Sequence, residues 1–473
     1  MRPARWLPAV AAGAVLAAGC AKYQPQPLSP DTSAVAFGHR SLADSALTVF
    51  LATYDSSATD QWDAQRLALT AWYFRPDLEV ARRAWRTVQA AEVTAGARPP
   101  IGVAGGVAGA DNPGPFESPW TVTLGLVFRI ELGGKRGARI AAARARSLVA
   151  ELQARVVAWG IASDVRTAAL AAVQGDSSVA AWTRRVARSE QVASQVTRLY
   201  ESDAVGQSMV DQATAETRLA GRELAAADAQ RIAARAALAR LIGLPAGAID
   251  TLTISTAGSV GCDWTGQRGL EELRGIALRR RYEMGVALAE YAVAEADLRV
   301  QITRQYPDLE LAPGYSWDQG LHRWIAALAL PNLLRNRNKG PIGEAIARRN
   351  QMASAVEATQ QQVLSQVEAA FADCRATAQQ LAASQQLVDA LRVRERSGRA
   401  AYDRGETGQF QSMGMALAVA DAEAALQDAQ LRRAVTGSEL ERVTGVWTTD
   451  NAPGLPDPLL LPTATFVVQE TAR

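Results

Sequence analysis

Trp120-Thr-Val-Thr-Leu-Gly-Leu-Val-Phe128 alternates. Trp120, Val122, Leu124, Leu126 and Phe128 take the even positions, and Thr121, Thr123 and Gly125 the odd ones. A period of two is that of a β-strand with unlike faces, and such a strand tolerates lipid on one side and water on the other. Asp308 to Trp317 does the same, with Leu309, Leu311, Pro313, Tyr315 and Trp317 set against Asp308, Glu310, Ala312, Gly314 and Ser316. Weaker partners beside them complete two hairpins, with strands expected at about 99–108, 119–130, 307–317 and 323–331. The smallest membrane barrels have about eight strands, so four must find their closing edges on other chains; three chains would supply about twelve.

Around each hairpin the chain repeats itself. Leu238-Ala-Arg240-Leu-Ile-Gly243 returns as Leu440-Glu-Arg442-Val-Thr-Gly445, and 440 minus 238 is 202. Tyr200 with Gly206-Gln207 returns as Tyr402 with Gly408-Gln409 at the same offset, and Arg75-Pro-Asp-Leu78 pairs with Arg281-Tyr-Glu-Met284 at 206. Two copies span 72–246 and 279–447, joined by 247–278, too long a period for an open solenoid. No proline falls between Pro119 and Pro245 or between Pro341 and Pro453, and these stretches are rich in Ala, Arg, Gln, Glu and Leu. Long helices follow: about 135–200 and then a shorter one to Leu241, about 342–401 and then one to Val443, with about 75–97 ahead of the first hairpin. A helix over 135–200 would be about 100 Å long. Gly175-Asp176-Ser177-Ser178 is a place where it could break.

At the N-terminus, Arg2 and Arg5 precede an apolar run from Trp6 to Ala18 and then Gly19-Cys20, the pattern of an export signal over 1–19. The run resembles a lipoprotein signal, which would make Cys20 the lipidated first residue; ordinary cleavage after a small residue is the alternative. With Ala21 and Lys22 following, the resemblance favours the outer membrane. Residues 20–71 read as an extended, lipid-anchored segment, and 448–473, with Pro453, Pro456, Pro458 and Pro462, as an extended tail. No later stretch has 18 to 20 uninterrupted apolar residues, so a membrane crossing must be a closed barrel of strands. Of 50 Lys+Arg and 48 Asp+Glu, cleavage removes Arg2 and Arg5, leaving 48 against 48. That balance argues against a nucleic-acid partner. Two histidines and three cysteines leave little for a metal centre or a disulfide framework. No motif assembles a nucleophile, a base and an orienting group, so no catalytic residue and no cofactor is expected.

Helix, strand, strand, very long helix, turn and helix, repeated once, resembles the TolC-like outer-membrane efflux proteins over about 72–447. Arg75-Pro-Asp-Leu78, Glu131-Leu-Gly-Gly-Lys-Arg-Gly137 and Leu330-Pro-Asn-Leu-Leu-Arg-Asn-Arg-Asn-Lys-Gly340 carry the likeness, and the last two are similar to the cobalt-zinc-cadmium efflux branch. The resemblance implies a mainly α fold with a membrane β part: a homotrimer whose twelve-stranded β-barrel in outer-membrane lipid continues into a twelve-helix α-barrel. It implies a passive exit duct for metal ions or drugs, docked on a periplasmic adaptor and driven by an inner-membrane pump. A periplasmic adaptor or structural coiled-coil scaffold is the alternative; adaptors, however, usually carry one hairpin rather than two.

By that resemblance the turns at 200–207 and 402–409 form the docking tip, with Tyr200, Gly206, Gln207, Tyr402, Gly405, Gly408 and Gln409. Gly206 and Gly408 are expected to let the chain reverse tightly and a partner approach. Asp203, Asp211, Asp403, Arg404, Glu406 and Gln411 are candidates for a polar gate, although Gln411 and Gly414 stand where the family often has two aspartates. Plain solvation is the other reading of these charges. Trp120, Trp317 and Trp324 bracket the hairpin loops, as an aromatic girdle would, with buried core tryptophan as the alternative. Lys135 and Arg136 are placed in the headgroup zone. Met209, Met413 and Met415 are read as packing rather than copper ligands, Cys374 as a small core residue, and Cys262 as having no near partner.

Overall fold

The computed structural model describes residues 23–55, 61–111, 114, 118–256, 262, 268–318, 320–330, 338–447 and 455–462. The signal at 1–19 and Cys20 lie outside these residues. The chain divides into two units, 1–40 with 465–473, and 41–464. Within the first, α1 (Pro30–Gly38) begins after Ser29, whose side chain accepts from the Thr32 amide.

The second unit contains the duplicated architecture. Its first half holds α2 (Ser45–Tyr54), α3 (Ala64–Phe74), α4 (Pro76–Ala95), β1 (Gly102–Gly109), β2 (Trp120–Ile130), α5 (Lys135–Glu201) and α6 (Gln207–Ile242). A 3-10 turn at Ala246–Ile249 leads to the second half: α7 (Leu270–Arg280), α8 (Tyr282–Thr303), β3 (Leu309–Asp318), β4 (Leu321–Ala329), α9 (Lys339–Asp403) and α10 (Gln409–Thr444). The four strands form one antiparallel sheet in the order β1-β2-β3-β4, so the repeats meet between β2 and β3.

The duplication reaches further than the sequence motifs do. α3 and α7, each 11 residues, are related by 270 minus 64, or 206. Gly243 and Gly445 end α6 and α10 in the left-handed region, at φ 90 and 70. Gly243 rests against Phe74 and Arg75, where α3 turns into α4; Gly445 rests against Arg280 and Arg281, where α7 turns into α8. A Cβ there would strain the backbone and press on that corner.

α5 has 67 residues, about 100 Å, and runs unbroken through Gly175-Asp176-Ser177-Ser178. Gly175 is there for proximity rather than for a break: a Cβ on it would lie 2.9 Å from the Arg231 Cα in α6. One turn on, Arg235 of α6 bonds Asp176 at 2.6 Å and donates to the carbonyls of Ile249, Asp250 and Leu252. An 18-residue window of α5 is apolar enough for a membrane span, but half of it is buried inside the protein. Ala154, Ala158, Ala162, Ala169 and Ala172 are the buried stripe, small side chains that let neighbouring helices pack closely.

Two expectations change here. Residues 20–71 are not simply extended: α2 and α3 occupy 45–54 and 64–74, and Leu47, Phe50, Leu51, Leu67, Leu69 and Trp72 join Leu238 and Ile242 in the main core. Each fully buried large aliphatic side chain contributes about 1.5–3 kcal/mol, reason enough for this segment to fold against α5. The tail is also held: Arg82 donates to the Pro458 carbonyl, Arg155 pairs with Asp457 at 3.1 Å, and Leu459 and Leu461 are buried. The remainder of the tail lies outside the described residues.

Candidate functional site

The sheet sorts its side chains as the alternation predicts. Leu124 stands opposite Gly105 on β1 and Tyr315 on β3, and Tyr315 stands opposite Trp324 on β4. Cross-strand partners share a face, so Val103, Val107, Trp120, Val122, Leu124, Leu311, Tyr315, Trp317, Trp324 and Leu328 line one side. Most are uncovered: Leu124 is 59% exposed and Trp324 85%. The opposite face carries Thr121, Thr123, Arg129, Glu310, Ser316, Asp318 and Arg323. There Thr121 donates to Asp318 at 2.7 Å, Arg323 pairs with Asp318 at 3.0 Å, and Arg129 pairs with Glu310 at 2.7 Å. Leu321 and Ile325 are apolar exceptions on that face. Trp120 and Trp317 lie on the apolar face near the hairpin loops; Trp324 shares that face but stands deeper, in the row of Leu124 and Tyr315, its ring 5.2 Å from that of Tyr315.

At the opposite end of the sheet the strands turn into the long helices. Gly133 and Gly134 adopt φ 71 and 74, and Asn338 adopts φ 52 ahead of α9. Tyr306 fills the space where a Gly133 side chain would stand. Lys135 does not stand free: its ammonium is bonded at 2.6 Å to Asp308, and its side chain is 14% exposed. It therefore ties the first repeat to the second. Arg136 stays exposed and donates to the Gly96 carbonyl at 2.7 Å. Of the turn quoted from Leu330 to Gly340, residues 331–337 lie outside the described residues.

The two helical tips have the same backbone. Asp203 N–H donates to the Tyr200 carbonyl and Ala204 N–H to that of Leu199; Gly405 N–H donates to Tyr402 and Glu406 N–H to Ala401. Each partner differs by 202, an αL-capped helix end copied twice. The residues with positive φ are Asp203 (54) and Gly405 (73). Gly206 and Gly408 do not make the reversal: their φ values, −86 and −73, are ordinary, and they precede α6 and α10 as N-caps. Tyr200 and Tyr402 are exposed at matching positions. Gln207 donates to Asp211 at 2.9 Å. Arg404 grips Glu406 through two hydrogen bonds, 2.6 and 2.8 Å, which hold the Glu406 carboxyl below its ordinary range and raise the Arg404 guanidinium. Asp203, Asp403 and Gln411 are exposed. The side chains of Gln409 and Met413 lie outside the described residues. Met209 packs with Val192, Val196, Ala213 and Leu417, and Met415 lies against Gly398, so both fill helix contacts.

Above the tips, the structure joins residues that the sequence reading passed over. Arg185 of α5 bonds Asp421 of α10 at 2.9 Å, and Gln174 bonds Asp428 at 2.7 Å. The available signal was a break in the duplication: 421 minus 202 is Leu219 and 428 minus 202 is Ala226. Cys262 and Cys374 also depart from expectation, since they are joined by a disulfide. Among the described residues no three His, Cys, Asp or Glu side chains gather as a metal site would require.

No protein-family model and no curated protein matches the sequence. Solved structures do match the fold. A membrane protein from Pseudomonas aeruginosa is 19% identical, with a TM-score of 0.65 over 92% of this chain and 99% of that one. The outer membrane protein VceC of Vibrio cholerae is 18% identical, with a TM-score of 0.65 over 81% and 96%. CusC, solved in a study of transmembrane channel formation, is 18% identical, with a TM-score of 0.64 over 83% and 96%. The chain thus has the fold of the outer-membrane channels, the one its sequence resemblance implies.

Proposed function

We propose that three copies of this chain form a duct across the outer membrane, the passive exit of an efflux assembly for metal ions or drugs. One observation carries the reading: an amphipathic four-stranded sheet with an uncovered apolar face and, among the described residues, no partner on the outer edge of β1 or β4. β1 has eight residues, and roughly every second one points its N–H and C=O outward, so one edge exposes roughly eight polar groups. In hydrocarbon each unsatisfied group costs several kcal/mol, which a lone chain cannot offset. The β4 edge of one copy runs antiparallel to the β1 edge of the next, so each added chain extends the same ladder.

In this reading the apolar face meets lipid, with Trp120 and Trp317 as its girdle and Trp324, in the row of Leu124, deeper in the hydrocarbon, and the polar face lines water. α5 and α9 extend the wall into the periplasm beside the stacked pairs α4/α6 and α8/α10. Four helical columns per chain make twelve in the trimer. The tips at 200–207 and 402–409 then dock a periplasmic adaptor, which couples the duct to an inner-membrane pump, and Cys20 anchors the chain by lipid. Light scattering of protein extracted in mild detergent, together with conductance in planar bilayers, tests the proposal. A trimer that conducts supports it. A stable monomer without conductance overturns it in favour of a periplasmic scaffold.

A further inference from the structure

The Cys262–Cys374 bond joins the connection between the repeats to the middle of α9, with Cα atoms 5.6 Å apart. Both residues are buried, at 4% and 1% exposure, in a cluster with Leu273 and Ala277 of α7, Val363 and Val367 of α9, and Leu440 and Val443 of α10. Among the described residues between Ile254 and Leu270, Cys262 alone is buried. The bond therefore fixes the stretch between Ile254 and Leu270, which supplies no other described side chain to the core. It spans 112 positions of sequence, and the enclosed segment contains α7, α8, β3, β4 and the first half of α9. Half of the membrane sheet thus lies inside one covalent loop. Lipidation of Cys20 would turn its sulfur into a thioether and take it out of exchange with either thiol.

We propose that this chain is a client of an extracytoplasmic thiol oxidant of the disulfide-donating class, and that the bond is a lock on the second repeat, set during folding. The thiolate of one cysteine attacks the oxidant's disulfide; that S–S bond breaks and a mixed disulfide forms. The second cysteine's thiolate then attacks the first cysteine's sulfur, closing Cys262–Cys374 and releasing the oxidant. Two thiols give up two electrons and two protons, and the oxidant leaves as a dithiol. Both sulfurs end inside an apolar cluster that excludes a protein-sized oxidant, so the exchange precedes the closing of α7 onto α9. Once set, the lock is shielded from reductant until the cluster opens. The inference is independent of the duct reading, since any exported protein with this core would need the same partner.

The test is thiol trapping in acid-quenched cells with a maleimide tag, mapped to Cys262 and Cys374 by peptide mass, on the full-length chain. Wild type should take no tag at either position, and both tags after reduction in denaturant. In cells lacking the oxidant both positions should take the tag, and the level of full-length chain should fall several-fold. Cys262→Ala, Cys374→Ala and the double variant should fall to a common level, with no further loss when the oxidant is removed. Free thiols at both positions in oxidant-replete wild-type cells would overturn the proposal, whatever the variants do. So would an intact bond and unchanged level in cells without the oxidant.

Discussion

Leu124→Arg tests most directly whether the sheet lies in lipid. Leu124 is the fifth of the 11 residues of β2, close to the middle of the strand and hence of the bilayer that the strand would cross, and 59% of it is exposed. An arginine on the lipid face at mid-bilayer costs about 2–4 kcal/mol. That is about 30- to 900-fold per chain in an assembly equilibrium, and about 6–12 kcal/mol over three chains. Thr123→Arg is the control. Thr123 is one residue away, on the face with Arg129 and Glu310, where the new cation would meet water. A shift of one residue exchanges the faces of a strand, so the two variants separate the register from any general intolerance of β2. The assay is the fraction of protein recovered as heat-resistant trimer from outer membranes at equal expression. Leu124→Arg should be depleted strongly and Thr123→Arg should stay near wild type. If the order is reversed, the faces are assigned wrongly; if both variants assemble normally, the sheet is not in lipid.

Gly133→Ala should destabilise more than Gly134→Ala, because both glycines have positive φ but a Cβ at 133 would stand 2.5 Å from the Tyr306 ring while 134 faces open space. Backbone strain alone is about 1–2 kcal/mol; equal melting shifts would count against the Tyr306 contact. Glu441→Gln removes the nearest counter-charge of Arg166, whose side chain is 4% exposed and whose guanidinium burial pushes below its ordinary range. Breaking a buried pair this way costs about 3–5 kcal/mol, so a thermal midpoint close to wild type would refute its structural weight. Tryptophan at Gly206 or Gly408 should leave the fold intact, since both have ordinary φ and no heavy atom nearer than the Ser208 hydroxyl at 4.0 Å. Export should fall with trimer unchanged; full export would remove these positions from the docking surface.

Alternation in β2 and β3 and the proline-free stretches made the sheet and the long helices legible, because period and backbone rules act locally. What was missed depends on contacts between distant segments. α3 and α7 share Leu67/Leu273 and Ala71/Ala277 at an offset of 206, all fully buried, but few of their other positions match. Only the helices' common place in the fold identifies them as copies. Cys262 and Cys374 follow no spacing rule, since folding alone brings together residues 112 positions apart. At the tips, glycine suggested the reversal at 206 and 408, whereas the backbone turns at Asp203 and Gly405. An aspartate tolerates αL, so residue type was a weaker guide there than the repeated hydrogen bonds.

The broken duplication explains why one chain holds two unlike hairpins. If the repeats were equivalent at every level, α6 would carry acids where α10 has Asp421 and Asp428, and both hairpins would grip their neighbours alike. Instead α10 is fastened to α5 within the chain through Arg185 and Gln174, while the matching position on α6, Leu219, is 54% exposed. In the proposed ring of three, Leu219 is free to meet the next chain, whereas Asp421 is already paired inside its own chain. The asymmetry predicts that Leu219→Asp weakens the trimer and leaves the isolated chain's melting unchanged. Asp421→Leu should instead loosen the chain itself, read as faster proteolysis between α5 and α10 with trimer yield retained. Equal effects of the two substitutions on assembly would mean that the repeats meet their neighbours in the same way, and the distinction would fall.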